Sequence, residues 1–116
     1  MIRLLNSFKY AFKGLFFYLF SGKNVTIHLF ATVMVVVLGR WLGITKNEWL
    51  ILLLLMAIVH IAEAFNTAIE HVVDLASPQQ HPLAGKAKDI AAGAVLMAAL
   101  AAAIGGLIIF LPYLAG

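Results

Sequence analysis

Cysteine is absent from this 116-residue chain, so it can form neither a disulfide framework nor a thiolate metal site, and any metal must be held by oxygen or imidazole ligands. Acidic residues are almost as scarce, with five against eight lysines and arginines. Charged residues make up only 11% of the chain while hydrophobic residues make up 64%, and the mean hydropathy is +1.02. That balance excludes an ordinary soluble domain and predicts a single all-α integral-membrane domain over residues 1–116. No internal repeat is evident, and the spans differ in character, which argues against an inverted-repeat transporter.

What charge there is lies unevenly. Arg3, Lys9, Lys13 and Lys23 precede the first span and alternate with Phe8, Phe12, Phe16, Phe17 and Phe20, a pattern that suits a membrane-surface helix and not a nucleic-acid-binding face. The spacing predicts an N-terminal amphipathic surface helix over about 2–21, and its cations, kept through Lys23, do not fit a cleaved signal peptide. Ser21-Gly22-Lys23-Asn24 marks a break. Spans are expected at about 25–42, 48–75 and 88–112, with a polar loop from Ser77 that carries two prolines, Gln79, Gln80 and His81. Cations near the span ends favour one side, with Arg3, Lys9, Lys13, Lys23, Lys86 and Lys88 against Arg40 and Lys46. This places the N-terminus and the 77–89 segment in the cytoplasm and the C-terminus outside. Small residues along the third span make a close-packing surface, and a thin bundle of three spans predicts a homo-oligomer.

Against this apolar background, Glu63 stands inside the run Trp49 to Ala64, followed by Asn66, Thr67, Glu70 and Asp74. At about 100° per residue all five side chains share one helix face. A charged side chain near the bilayer core is unfavourable by roughly 2.5–3.5 kcal/mol on insertion scales, so such a stripe points to use. Counting about 30 Å of hydrocarbon from Trp49 at 1.5 Å per residue leaves Glu63 about 9 Å below the far boundary and Glu70 at headgroup level. A desolvated Glu63 suits a general base, and an outer Glu70 suits a cation holder, with Mg²⁺ shared with phosphates the natural choice for carboxylate ligands. Asn66 can orient a carboxylate or donate to a lipid hydroxyl, Thr67 is expected to return its hydroxyl to a backbone carbonyl, and Asp74 is open between a functional and a solvated role. The plainer reading of the stripe is a polar seam between subunits.

Lys86, Lys88 and Asp89 are expected to open the third helix, where free N–H groups and a lysine can receive a phosphate. Lysines there, like Arg3 and Lys13, are also ordinary membrane anchors. His28, His60, His71 and His81 reach no recognised metal spacing, so a histidine-ligated metal is not expected.

The run Glu63-Ala-Phe-Asn66-Thr-Ala-Ile-Glu70-His-Val-Val-Asp74, with His81-Pro82-Leu83, Lys86-Ala-Lys88-Asp89, Arg3, Tyr10 and Phe12-Lys13-Gly14-Leu15, resembles the prokaryotic diacylglycerol kinase and undecaprenol kinase family. The resemblance covers nearly the whole chain. It implies a homotrimer in the bacterial inner membrane that transfers the γ-phosphate of ATP to a membrane lipid alcohol with Mg²⁺. It implies Glu63 as catalytic base, with Asn66 in the catalytic constellation and Glu70 as a metal ligand on the nucleotide side. Arg3, Tyr10, His81, Lys88 and Asp89 match nucleotide-site positions, and Arg3, Lys13 and Glu63 fall to the lipid substrate. Asn66-Thr-Ala-Ile-Glu70, Ile27-His28-Leu29 and the tract from Lys88 to Leu96 resemble the undecaprenol branch more than the diacylglycerol branch, which stays as the alternative.

One position departs. Where relatives usually carry a second metal-binding glutamate after the surface helix, this chain has Gly22, which has no side chain to ligate with. That leaves a non-catalytic membrane pseudokinase as a rival reading. A carrier that uses the acidic stripe is a third, disfavoured because Trp49 to Ala62 offers only His60 as a polar group.

Overall fold

The computed structural model describes all 116 residues as four helices: α1 (Ile2–Leu19), α2 (Lys23–Leu42), α3 (Lys46–Ala76) and α4 (Pro82–Ala115). The last three are long and apolar enough to cross a membrane. At 1.5 Å per residue the 31 residues of α3 and 34 of α4 run about 46 and 51 Å. They pack against each other as an antiparallel hairpin, which α2 flanks. The molecule is a slab of 54 × 43 × 20 Å.

The turns follow from local chemistry. Gly43 ends α2 in the left-handed conformation at φ 66°, and the N–H groups of Gly43 and Ile44 return to the Gly39 carbonyl at 3.0 and 3.3 Å, so the last carbonyls of α2 are satisfied by a glycine stop. Thr45 then opens α3 with a reciprocal capping box: its hydroxyl accepts from the Glu48 N–H (3.2 Å), and Glu48 accepts from the Thr45 N–H (2.9 Å). Glu48 also accepts from the Tyr113 hydroxyl of α4, which ties the two long helices at this end. Beneath these polar ties Ile44, Leu52, Ile109 and Phe110 form a buried cluster, with Trp49, Met56 and Val35 packed on it. Gly39 lies so close that a Cβ there would sit 2.9 Å from the Trp49 ring. Further along, Leu55 nests on Gly105 of α4, where a Cβ would meet it at 2.5 Å, the close approach that small residues allow between apolar helices.

The third long helix starts at Pro82, not near Lys88 as the sequence pattern suggests. Proline fits the first helical position because its φ is preset and its missing N–H would have no partner there. His81 supplies the cap, its Nδ1 accepting from the Leu83 N–H at 3.1 Å. The connection is therefore only Ser77 to His81. Lys86, Lys88 and Asp89 do not open α4 but lie in its second turn, beyond the free N–H groups of its first.

Gly39→Val drives a branched side chain into the Trp49 ring and is expected to lower stability by about 1–3 kcal/mol. At Gly85 a Cβ meets nothing within 4 Å, so Gly85→Ala should leave stability unchanged or raise it by up to about 1 kcal/mol. Thermal unfolding in detergent micelles reads both; a Gly39→Val protein that melts with the parent contradicts this packing.

Candidate active site

Along α3 the buried residues are Leu52, Val59, Glu63 and Asn66, spaced as one helical stripe. The acid and the amide therefore continue the face that packs α3, and burial at Glu63 is a product of helix pairing. Glu63 is only 3% exposed and Asn66 7%. A carboxylate so placed needs a partner, and α2 provides it: His28 Nε2 stands 3.4 Å from Glu63 Oε2. Thr67 returns its hydroxyl to the Glu63 carbonyl at 3.0 Å, the backbone bond expected of it.

Asn66 bridges inside and outside. Its Nδ2 donates to Glu70 Oε1 at 3.1 Å, while its buried Oδ1 has no hydrogen-bond partner, an acceptor waiting for a donor. Glu70 is exposed, about 10 Å along the helix axis from Glu63. Both carboxylates line one polar cavity of about 210 Å³, completed by Ser21, Gly22, Lys23 and Asn24 at the α1–α2 turn and by Thr67 and His71. Gly22 caps α2 without any side-chain bond, in nearly extended backbone (φ 159°, ψ −173°).

At the same end of the bundle, a larger groove of about 610 Å³ runs along the α3–α4 turn and includes Asp74, His81 and Lys88. Lys88 Nζ contacts Asp74 Oδ1 at 2.5 Å. Both are exposed, so the pair adds little to stability; what it does is hold a cation at the groove edge. Asp89 is exposed without an ionic partner, and the His81 ring is engaged in capping α4. Arg3, Tyr10 and Lys13 stand exposed on α1, and none makes a side-chain hydrogen bond or ion pair to α2, α3 or α4. The structure thus joins Glu63, Asn66 and Glu70, sets His81 and Lys88 on a second opening nearby, and leaves the α1 residues apart from both.

A hard divalent cation fits the donor chemistry of the polar cavity. Its lining offers the Glu63 and Glu70 carboxylates, the Asn24 amide, the Ser21 and Thr67 hydroxyls and the His71 imidazole beside the Lys23 cation, and no three acidic or imidazole side chains come together closely enough to hold a metal by themselves. Mg²⁺ is commonly held by one or two carboxylates together with substrate phosphates and water, so Glu70 with a nucleotide meets that pattern.

Sequence reasoning missed a line of polar groups beside Glu63. The Tyr18 hydroxyl lies 2.6 Å from His60 Nδ1, His60 Nε2 lies 2.9 Å from the Thr32 hydroxyl, and that hydroxyl lies 2.7 Å from the His28 carbonyl. Tyr18 is the one buried residue of α1. Burial first, and the Glu63 charge second, push its phenol up to about 12, so it remains a donor at neutral pH. The available signal was His60 and Thr32 themselves, isolated polar residues inside apolar spans.

With this geometry in view, similarity to known proteins becomes informative. A model described as prokaryotic diacylglycerol kinase matches residues 9–110. The chain is 41% identical over 112 residues to the undecaprenol kinase of Bacillus subtilis, a match that covers 97% of this chain and 91% of that protein. It is 44% identical over 110 residues to a diacylglycerol kinase of Synechocystis, covering 94% of this chain but only 63% of the longer relative. The diacylglycerol kinase of Escherichia coli K12 is 32% identical over 102 residues, covering 88% and 84%. The chain belongs to the prokaryotic diacylglycerol kinase family and is a lipid kinase.

Tyr18→Phe removes the donor at the head of the polar line and strands His60 Nδ1, an unsatisfied half-buried group worth about 1–3 kcal/mol. The expected result is a lower melting temperature in micelles together with faster proteolysis of α1. Tyr10→Phe, which removes no hydrogen bond, should do neither.

Proposed function

We infer that this kinase transfers the γ-phosphate of ATP to the hydroxyl of a membrane lipid alcohol at the cytoplasmic interface. The observation that carries this reading is the pairing of a buried carboxylate, Glu63, with an exposed one, Glu70, on a single polar cavity. A hydroxyl held just below the headgroups reaches the first while a water-soluble nucleotide meets the second.

Phosphoryl transfer asks a protein chiefly to position the nucleophile and to neutralise phosphate charge. Glu63 accepts the hydroxyl proton as the lipid oxygen attacks Pγ; the new O–Pγ bond forms as the bond from Pγ to the β,γ-bridging oxygen breaks, and ADP leaves. Asn66 bonds Glu70 through its amide nitrogen and keeps a buried Oδ1 free to accept. Glu70 would hold Mg²⁺, which supplies charge neutralisation on the β- and γ-phosphates when bound. Lys88 stabilises phosphate oxygens from the second opening, and family resemblance adds His81 and Asp89 to the nucleotide side. The same resemblance gives Arg3 and Tyr10 to the nucleotide and Arg3 and Lys13 to the lipid headgroup, roles that require these α1 residues to approach a site they do not touch within one chain.

The cation distribution supports an inner-membrane orientation with the N-terminus in the cytoplasm and the C-terminus outside, and with α1 as an amphipathic helix on the cytoplasmic surface. Only 12 of 116 residues are buried in one chain, which leaves apolar surface for further copies as well as lipid, and the family resemblance makes a homotrimer of this single domain the assembly we propose. Undecaprenol is the favoured acceptor, supported by the Ile27-His28-Leu29 tract and by similarity to an undecaprenol kinase over nearly its whole length. Diacylglycerol is the alternative, supported by the 44% identity to a protein of that name.

Purified protein in lipid, given labelled ATP and Mg²⁺ and offered undecaprenol, diacylglycerol and a short-chain alcohol in parallel, tests the reading. Label should enter undecaprenol fastest; transfer to none of the three overturns it. Glu63→Gln should reduce turnover by about 10²–10⁴-fold, the range of a lost general base, and full turnover in that variant removes Glu63 from the role. Gly22→Glu should lower the Mg²⁺ concentration needed for half-maximal rate, because it restores a carboxylate to the cavity.

A further inference from the structure

We propose that His28 is a positioning residue for the transfer step, its imidazole holding one oxygen of Glu63 so that the other is presented to the lipid hydroxyl. The proposal rests on the reading of Glu63 as base.

Three observations carry it. First, His28 Nε2, at 3.4 Å, is the only side-chain group that pairs with the Glu63 carboxylate; Thr67 bonds only the backbone carbonyl of that residue. A carboxylate with one anchored oxygen keeps a defined plane and a free oxygen, which is what a base needs. Contacts of this kind are often long in unliganded enzymes and tighten with substrate.

Second, the backbone carbonyl of His28 is held by a hydrogen-bond line that, with a neutral His60 ring, has one direction. The His28 carbonyl can only accept, so the single Thr32 proton goes to it, at 2.7 Å. Thr32 Oγ1 must then accept from His60 Nε2–H, at 2.9 Å. This leaves His60 Nδ1 as an acceptor for the Tyr18 hydroxyl, at 2.6 Å. The line fixes the turn of α2 that bears His28 against both α3 and α1.

Third, His28 and Glu63 face different cavities. Glu63 lines the polar one, whereas His28 lines an apolar cavity of about 260 Å³ with Ala31 and Val35 of α2, Met56 and Val59 of α3, and Ala99 of α4. Met56 and Val59 precede Glu63 on α3, whereas Glu70 follows it. His28 therefore stands on the acceptor side of the base, away from the nucleotide side, and its loss should act on transfer to the lipid and not on ATP binding.

The test uses full-length protein in lipid bilayers with undecaprenol as acceptor. His28→Leu should lower kcat by about 10²-fold, the scale of a misplaced reacting group, with the KM for ATP changed less than about twofold. His28→Gln, which keeps an N–H donor, should recover most of the rate. In a Glu63→Gln background, His28→Leu should produce no further loss, since the two act as one unit. His28→Met, close in volume but without a donor, should match His28→Leu and replaces it if leucine lowers the melting temperature. Unchanged kcat in both apolar variants, a loss confined to the KM for ATP, failure of glutamine to rescue, or additive losses in the double variant would each overturn the proposal. Wild-type turnover in Glu63→Gln alone instead removes the underlying base assignment.

Discussion

Polar groups buried within this apolar bundle must find partners inside the protein, because the surrounding helices and lipid offer none. The arrangement around Glu63 follows from that requirement. The carboxylate lies on the stripe that packs α3, in line with Leu52 and Val59, and borders open space at the polar cavity. The imidazole of His28 on α2 stands beside that carboxylate, and α2 is in turn tied through Thr32 to His60 and Tyr18. Polar contacts of Glu63 and His60 on α3 thus reach both α2 and α1.

The two ends of the bundle divide the work. At one end the capping box at Thr45, the bond from Tyr113 to Glu48 and the cluster around Leu52 and Phe110 clamp α2, α3 and α4 together. At the other, both cavities that carry polar and ionic groups open beside short turns, and the buried groups include Glu63 and Asn66. A rigid clamp far from the chemistry lets the reactive end hold open space and an unsatisfied acceptor, Asn66 Oδ1, without loss of the fold. Sites built on packed helices keep their geometry better than sites on loops, and here all three members of the central constellation sit on α3.

Much of this was legible in the chain itself. Helical periodicity placed Glu63, Asn66 and Glu70 on one face, and depth counting separated a buried acid from an exposed one; burial agrees, at 3% for Glu63 against an exposed Glu70. The start of α4 differs from the expected one because Pro82 reads as part of a loop, whereas proline at a first helical turn with His81 as cap is a start signal. His28 was beyond reach for another reason. Its partner lies on a different helix, and the rotation of α2 about its axis, which brings that ring towards Glu63, is fixed by packing that no single-helix period encodes. The same holds for Asp74 and Lys88, joined across the α3–α4 turn.

Gly22 gains a different meaning in this setting. On the proposed reading, a nucleotide in the polar cavity meets Glu70 and the reacting edge of Glu63 on one wall, and Lys23 with the unpaired first N–H groups of α2 on the other. A helix N-terminus carries partial positive charge and free donors suited to phosphate oxygens. A glutamate at position 22 would place a negative charge against that end, which favours a cation but opposes a bare phosphate. Glycine removes both effects together. On that reading, the absence of a carboxylate at position 22 leaves Lys23 as the cation on that wall of the cavity, and positive charge near the transferring group is the main electrostatic demand of phosphoryl transfer.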